Sequence, residues 1–322
     1  MPYSTRCLGS GVKLWPVSMS RRLVLRFALF VGTTSSILLA GCPQTAERTT
    51  KRPSSGQSTR TRSTGSPRSG TTVTRSSGNS SPSNEGNLLL GNPSGAATDA
   101  NNYLLEKPQY TLSYNRRNGG PNWVAWHTDT SDFGDTDRGK FQPDSALPAA
   151  WRITPGDYKG SGYDRGHVCP SGDRTSSRTN NDATFCMSNM MPQTGELNRH
   201  VWADFENYVR DQVRDGNEVY QLAGPTGTAS TIDGGQIVVP RACWKVVVVL
   251  PQGTNDLSRI NSRTRVIALA MPNTDDKSLE TADWRTYLTT PRKIEDSTRL
   301  DFFSGLPSSV KRALEQKTDS GQ

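Results

Sequence analysis

The sequence of 322 residues holds three histidines, so a side chain that takes up a proton near neutral pH has few candidates. One of them ends the run Tyr163-Asp164-Arg165-Gly166-His167. Downstream come Met187-Ser-Asn-Met-Met-Pro-Gln193 and then Leu197-Asn-Arg-His-Val-Trp-Ala-Asp-Phe-Glu206. Asn198 and Glu206 stand eight residues apart with Trp202 between them. On a regular helix that spacing is two turns and about 80° of rotation, so both side chains can face one groove. An amide oxygen and a carboxylate are hard ligands, suited to a Mg²⁺ that keeps most of its waters. A histidine, a hydrated Mg²⁺ and several arginines together suit phosphodiester hydrolysis, in which charge grows on the phosphoryl oxygens.

Each residue alone has a plainer reading. His167 fits a satisfied buried histidine, Asn198 a helix N-cap, and Glu206 with Arg210 an i,i+4 pair on an exposed helix. The chemical reading rests on their occurrence in one window.

The elements that must position this window are legible around it. Residues 110–115 alternate, turn through Asn118-Gly-Gly-Pro121 and continue over 123–127, which predicts a hairpin. Residues 218–223, 236–239, 243–250 and 264–270 are β-branched runs, expected as strands of a central antiparallel sheet. Val201, Phe205, Val209 and Val213 at four-residue spacing predict a helix over 198–213, and a second is expected over 308–316. Strands, helix, strands, helix is an α+β order. Cys169, Cys186 and Cys243 lie in this part; three leave at least one unpaired, and their spacing is unlike a zinc site. They read as small buried residues.

Asp164-Arg-Gly-His167, Ser188-Asn-Met-Met-Pro-Gln193 and Asn198-x3-Trp202-x3-Glu206, in that order, resemble the signature of the DNA/RNA non-specific endonucleases, the ββα-metal or His-Me finger nucleases. Further blocks with the same likeness are 88–94, 103–126, 147–151, 239–245 and 284–287, so the resemblance spans the chain from about Leu88. It implies a ββα-metal domain with a central antiparallel sheet flanked by helices. It also implies roles. His167 would be the general base that activates water. Asn198 would be the one direct protein ligand of Mg²⁺, with Mn²⁺ as a substitute. Glu206 would hold a metal-bound water, and Arg138 would stabilise the pentacoordinate transition state. The stretch Asp137-Arg-Gly-Lys-Phe141 is one residue shorter than the family spacing, which weakens that last match. Arg165 and Arg210 would orient the phosphate and the metal-site carboxylate. Asn189 would hydrogen-bond within the site, and Asp164 would anchor the finger. The products implied are 5′-phosphate ends on both DNA and RNA. No base-reading motif is visible, in keeping with contacts to phosphate and sugar.

Charge separates the chain into regions. Of 38 Lys and Arg, 12 lie in residues 1–95 against Glu47 and Glu85; the remainder holds 26 basic and 28 acidic residues. The net charge of +8 therefore belongs to the front end, and it gives no ground for nucleic-acid binding by the folded part. Arg21, Arg22 and Arg26 precede a short apolar stretch that ends in Leu39-Ala40-Gly41-Cys42. That run is too short and broken for a spanning helix. It resembles the lipobox of bacterial lipoproteins, in which the cysteine is lipidated; a plain secretory signal cleaved near Ala40 is the alternative. Residues 1–18 precede Met19, which could itself start the signal. The expected organisation is a signal peptide over 1–42, a Ser/Thr/Gly/Pro/Arg-rich tether over 43–86 too apolar-poor to fold, and a nuclease domain over 87–318. Export, a lipid anchor at Cys42 and a place in the cell envelope follow as expectations. Two other functions stay open: a surface nucleic-acid-binding lipoprotein without catalysis, and a phosphodiesterase for small substrates. A protein inhibitor is a partner on which the sequence is silent.

Overall fold

The computed structural model describes residues 86–322. The leader, Cys42 and the tether through residue 85 lie outside the described residues.

Strands β1 (Thr98–Asp99), β2 (Asn102–Glu106), β3 (Thr111–Asn115) and β4 (Gly120–Thr128) run as an antiparallel meander. The β3–β4 turn is the expected hairpin. It needs Gly119, whose φ is +62° and where a Cβ would sit 3.2 Å from Ile237 Cα. Next come β5 (Asp164–His167), α1 (Arg178–Thr184) and β6 (Met190–Gln193). Helix α2 (Trp202–Arg214) leads into β7 (Asn217–Thr226), β8 (Ser230–Ile232), β9 (Ile237–Val239) and β10 (Ala242–Pro251). The chain finishes with α3 (Asp256–Arg259), β11 (Arg265–Pro272), β12 (Leu288–Thr289), α4 (Pro291–Thr298) and α5 (Ser308–Glu315).

Eight strands pair antiparallel in the order β1-β2-β3-β4-β7-β10-β11-β12. The expected α+β architecture is what forms. One strand is placed differently from expectation: residues 237–239 pair with β8 in a separate two-stranded ribbon. Pro240 follows at once and has no N–H to extend the pairing, while Ile237 packs with Met187 and Met190 in a small core of its own.

Strand β10 runs between β7 and β11 and is buried on both faces, which is why it reads as an almost unbroken apolar run. Its side chains alternate. Cys243, Val247 and Val249 join the core that includes Phe205, Val209 and Val213 of α2. Trp244, Val246, Val248 and Leu250 join the core on the opposite face with Ile294 of α4, Phe302, Phe303 and Leu314 of α5. The active half of the molecule is thus built on one face of the sheet and a supporting layer on the other.

The expected helix over 198–213 is not one regular helix. Leu197–Val201 forms a π-helical turn, with Trp202 N–H donating to Leu197 O and His200 at φ −121°, ψ −106°. Only from Trp202 does α-helix run. It buries Trp202, Phe205, Val209 and Val213. Helix α4 was not expected, since Ile294 is its lone large apolar side chain; its start is nonetheless marked by Thr290, which accepts from Lys293 N–H, and Pro291. The three cysteines are buried, as read from the sequence, and all three are free, a point the sequence had left open.

Candidate active site

Strands β5 and β6 pair in the register Asp164↔Gln193, Arg165↔Pro192, Gly166↔Met191 and His167↔Met190. This narrow ribbon and helix α2 frame a cavity of about 550 Å³. Its lining includes Arg138, Arg165, His167, Asn198, Glu206 and Arg210, so six positions spread over 73 residues of sequence meet in one place.

His167 sits at the end of β5 between two phenylalanines. Its ring lies 4.7 Å from that of Phe185, edge to face, and 5.5 Å from that of Phe141. Each phenylalanine carries an arginine: Arg138 lies 5.3 Å over Phe185 and Arg165 lies 5.2 Å over Phe141. Burial, aided by the positive charge of Arg138, pushes the imidazole pKa down from 6.5 to about 3. The ring is therefore neutral across the physiological range. Its Nε2 is buried without a hydrogen-bond partner, so no internal acceptor or donor occupies it. A neutral, uncommitted imidazole is what a general base requires.

Asn198 lies inside the π-helical turn and is not an N-cap. Its Nδ2 donates to Asp164 Oδ2 at 3.0 Å, which fixes the amide and leaves its carbonyl oxygen as the outward acceptor. Asp164 also takes a two-pronged ion pair from Arg199, at 2.8 and 2.6 Å. Burial alone would raise the Asp164 pKa, but the bonds from Arg199 and Asn198 hold it low. Asp164 thus ties the start of β5 to the turn that carries Asn198, the anchoring role expected for it.

Glu206 and Arg210 do not pair with each other. Arg210 donates to Asp173 at 3.0 Å and to Asn207 at 2.6 Å. Glu206 instead has Lys245 Nζ at 3.3 Å from Oε1. Its pKa is raised by burial, with Lys245 and then Arg210 pulling the other way.

Arg165 lines the cavity, but it donates through Nε and Nη2 to Pro155 O. Asn189, expected to hydrogen-bond within the site and keep its geometry, bonds to the backbone beside His167. It is fully buried and stands behind the cavity, donating to Cys169 O and Thr184 O and accepting from Cys169 N–H, each at 2.9 Å. Its three side-chain hydrogen bonds all go to backbone, so it holds the chain just past His167. Phe141, Phe185 and Lys245 were not anticipated as parts of the site. For the phenylalanines the sequence gives no signal. For Lys245 there is one, a lysine directly before four valines.

Asn198 and Glu206 offer two oxygen donors on the wall of the cavity, a set suited to a hard divalent cation. Elsewhere among the described residues three groups could hold a metal: His127, Glu218 and Asp256; Glu196, His200 and Glu280; and Glu295, Asp301 and Glu315. Each already has a protein cation against it, Arg259, Lys277 and Lys311 respectively.

A ribbon and a helix that bring a neutral histidine, oxygen donors and arginines to one cavity define a hydrolase site shaped for an anionic ester. Comparison with known proteins agrees. Residues 92–309 match the family described as DNA/RNA non-specific endonuclease. A nuclease of Nostoc sp. is 46% identical over 245 residues, covering 74% of this chain and 88% of the relative. Nuclease C1 of Cunninghamella echinulata is 38% identical, covering 54% and 74%. Human mitochondrial endonuclease G is 32% identical, covering 53% and 60%. A solved EndoG/EndoGI complex, concerned with the mechanism of EndoG inhibition, superposes with a TM-score of 0.57 at 27% identity, covering 69% of this chain and 91% of that one. The chain belongs to the DNA/RNA non-specific endonuclease family, and it is an endonuclease.

Proposed function

We propose that this endonuclease hydrolyses phosphodiester bonds in both DNA and RNA without sequence preference, with His167 as general base and Asn198 as the direct ligand of a Mg²⁺ ion. The observation that carries this reading is the His167 imidazole, held neutral between Phe141 and Phe185 on the same cavity as Asn198 and Glu206. When bound, the divalent ion would offset charge on the phosphoryl oxygens and the leaving group. His167 takes the proton of the attacking water, a function that contributes about 10²–10⁴-fold. Glu206, on the same cavity wall as Asn198, would hold a water of the ion. Arg138, beside His167, faces the developing negative charge. Arg165 and Arg210 line the same cavity and orient the phosphate, each braced by its own protein acceptor. As the water oxygen bonds to phosphorus, the bond from phosphorus to the 3′-oxygen breaks; a water held at the cation site would supply the proton that the departing 3′-oxygen takes, which leaves 5′-phosphate ends.

Under the same reading, Cys42 anchors the enzyme in the cell envelope, and a protein inhibitor is a fitting partner because the related EndoG is known with one. The test incubates the enzyme with supercoiled plasmid and single-stranded RNA, with Mg²⁺ or with EDTA, beside His167→Ala. The expected outcome is metal-dependent loss of both polymers and a fall of at least about 10²-fold in the variant, which still binds substrate. Retention of a tenth of the activity by His167→Ala would remove it as the base. Cleavage of DNA alone would remove the claim of sugar non-specificity.

A further inference from the structure

Lys245 is an unusual residue for its place. It lies in β10, pairs with Ala223 on one side and Leu269 on the other, and is fully buried. By strand alternation it falls on the face shared with Cys243, Val247 and α2. Its Nζ lies 4.8 Å from the ring centre of Trp202 and 5.3 Å from that of Trp126. The remaining direction is taken by Glu206 Oε1 at 3.3 Å. Trp126 is itself held, its Nε1 donating to Asp173 Oδ2 at 3.0 Å, and Asp173 in turn receives Arg210. Burying an ammonium costs several kcal/mol even after relaxation, and an apolar residue of equal length often serves stability as well or better. A core strand therefore gains little fold stability from this lysine. What it does secure is the direction of Glu206. No other hydrogen bond to that carboxylate is present among the described residues.

We propose that Lys245 is a positioning residue of the cation site: clamped by Trp126 and Trp202, it holds one oxygen of Glu206 so that the other is presented to the hydrated metal. The inference rests on the role given to Glu206 above. It acts through Glu206 alone and touches neither substrate nor ion. The test uses the whole enzyme with Lys245→Met, Glu206→Gln and the double variant, and reads direct Mn²⁺ binding by electron paramagnetic resonance as well as turnover. Lys245→Met is expected to fold, to bind DNA in EDTA like the parent, and to weaken Mn²⁺ binding by about tenfold or more, the usual cost of removing a group that orients a metal's ligands. In the Glu206→Gln background the same change is expected to have no further effect on Mn²⁺ affinity, because coupled residues are not additive. Equal losses with and without Glu206, or unchanged Mn²⁺ affinity in Lys245→Met, would overturn the proposal. If Glu206→Gln itself left Mn²⁺ binding intact, the role of Glu206 would be at fault instead. Should Lys245→Met not fold, Lys245→Leu, which likewise offers Glu206 no donor, replaces it in the same cycle with the same reading of outcomes.

Discussion

At the scale of single residues, the local environment of His167 sets its protonation. Its pKa is near 3 folded and 6.5 unfolded. Both states are neutral above 6.5, and below it only the unfolded chain gains the proton. This one group therefore withdraws stability as pH falls from 6.5 toward 3, and adds none above. Nitrogen NMR of the labelled imidazole is expected to show the neutral ring at pH 5; a midpoint near 6.5 would contradict the aromatic enclosure as its cause. The sequence made His167 conspicuous through scarcity of rivals and through Asp164-Arg-Gly-His167. Nothing in it disclosed Phe141 and Phe185, because a contact between residues 141, 167 and 185 exists only once the ribbon has formed. Lys245 was half legible. A charge ahead of Val246–Val249 stood out, but its partner lies 39 positions away on another element.

At the scale of elements, the ribbon depends on a close approach. A Cβ on Gly166 would fall on the buried Gln193 side chain, 2.7 Å from its Cγ and in collision with its Oε1. Gly166→Ala is expected to cost about 1–3 kcal/mol in urea unfolding, as overpacking does, and to lower turnover with it because His167 is the next residue. A variant as stable as the parent would mean Gln193 has room to move. The strands and the long helix followed from periodicity, which tertiary packing respected. The π-helical turn did not, since Val201, Phe205, Val209 and Val213 keep helical spacing whatever precedes them. The angle of about 80° expected between Asn198 and Glu206 assumed a regular helix throughout. Their convergence comes from the cavity geometry and the Asn198–Asp164 bond.

At the scale of the whole molecule, the sheet divides tasks between its faces. On the face away from the cavity, Glu295 is buried, accepts from Phe302 N–H through Oε1, and has no hydrogen bond at Oε2; Glu315 Oε1 nearby has only the distant ammonium of Lys311, 3.8 Å away. Burial, with Glu315 and Asp301 adding to it, raises the Glu295 pKa from 4.5 to about 7. Stability from this group is complete below 4.5 and lost as pH rises through 7. Glu295→Gln is expected to raise stability at pH 8 by roughly 1–2 kcal/mol while turnover stays at the parental level. Thermal unfolding at pH 5 and pH 8 checks this, and a loss of stability at pH 8 would refute it. Strand β10 spans both tasks. Cys243, Lys245, Val247 and Val249 look toward the chemistry, while Trp244, Val246, Val248 and Leu250 look toward the supporting layer. Along this one strand the parity of the residue number sorts the side chains between two layers: odd positions pack toward the helix that carries Glu206, even positions toward the layer that closes the opposite face.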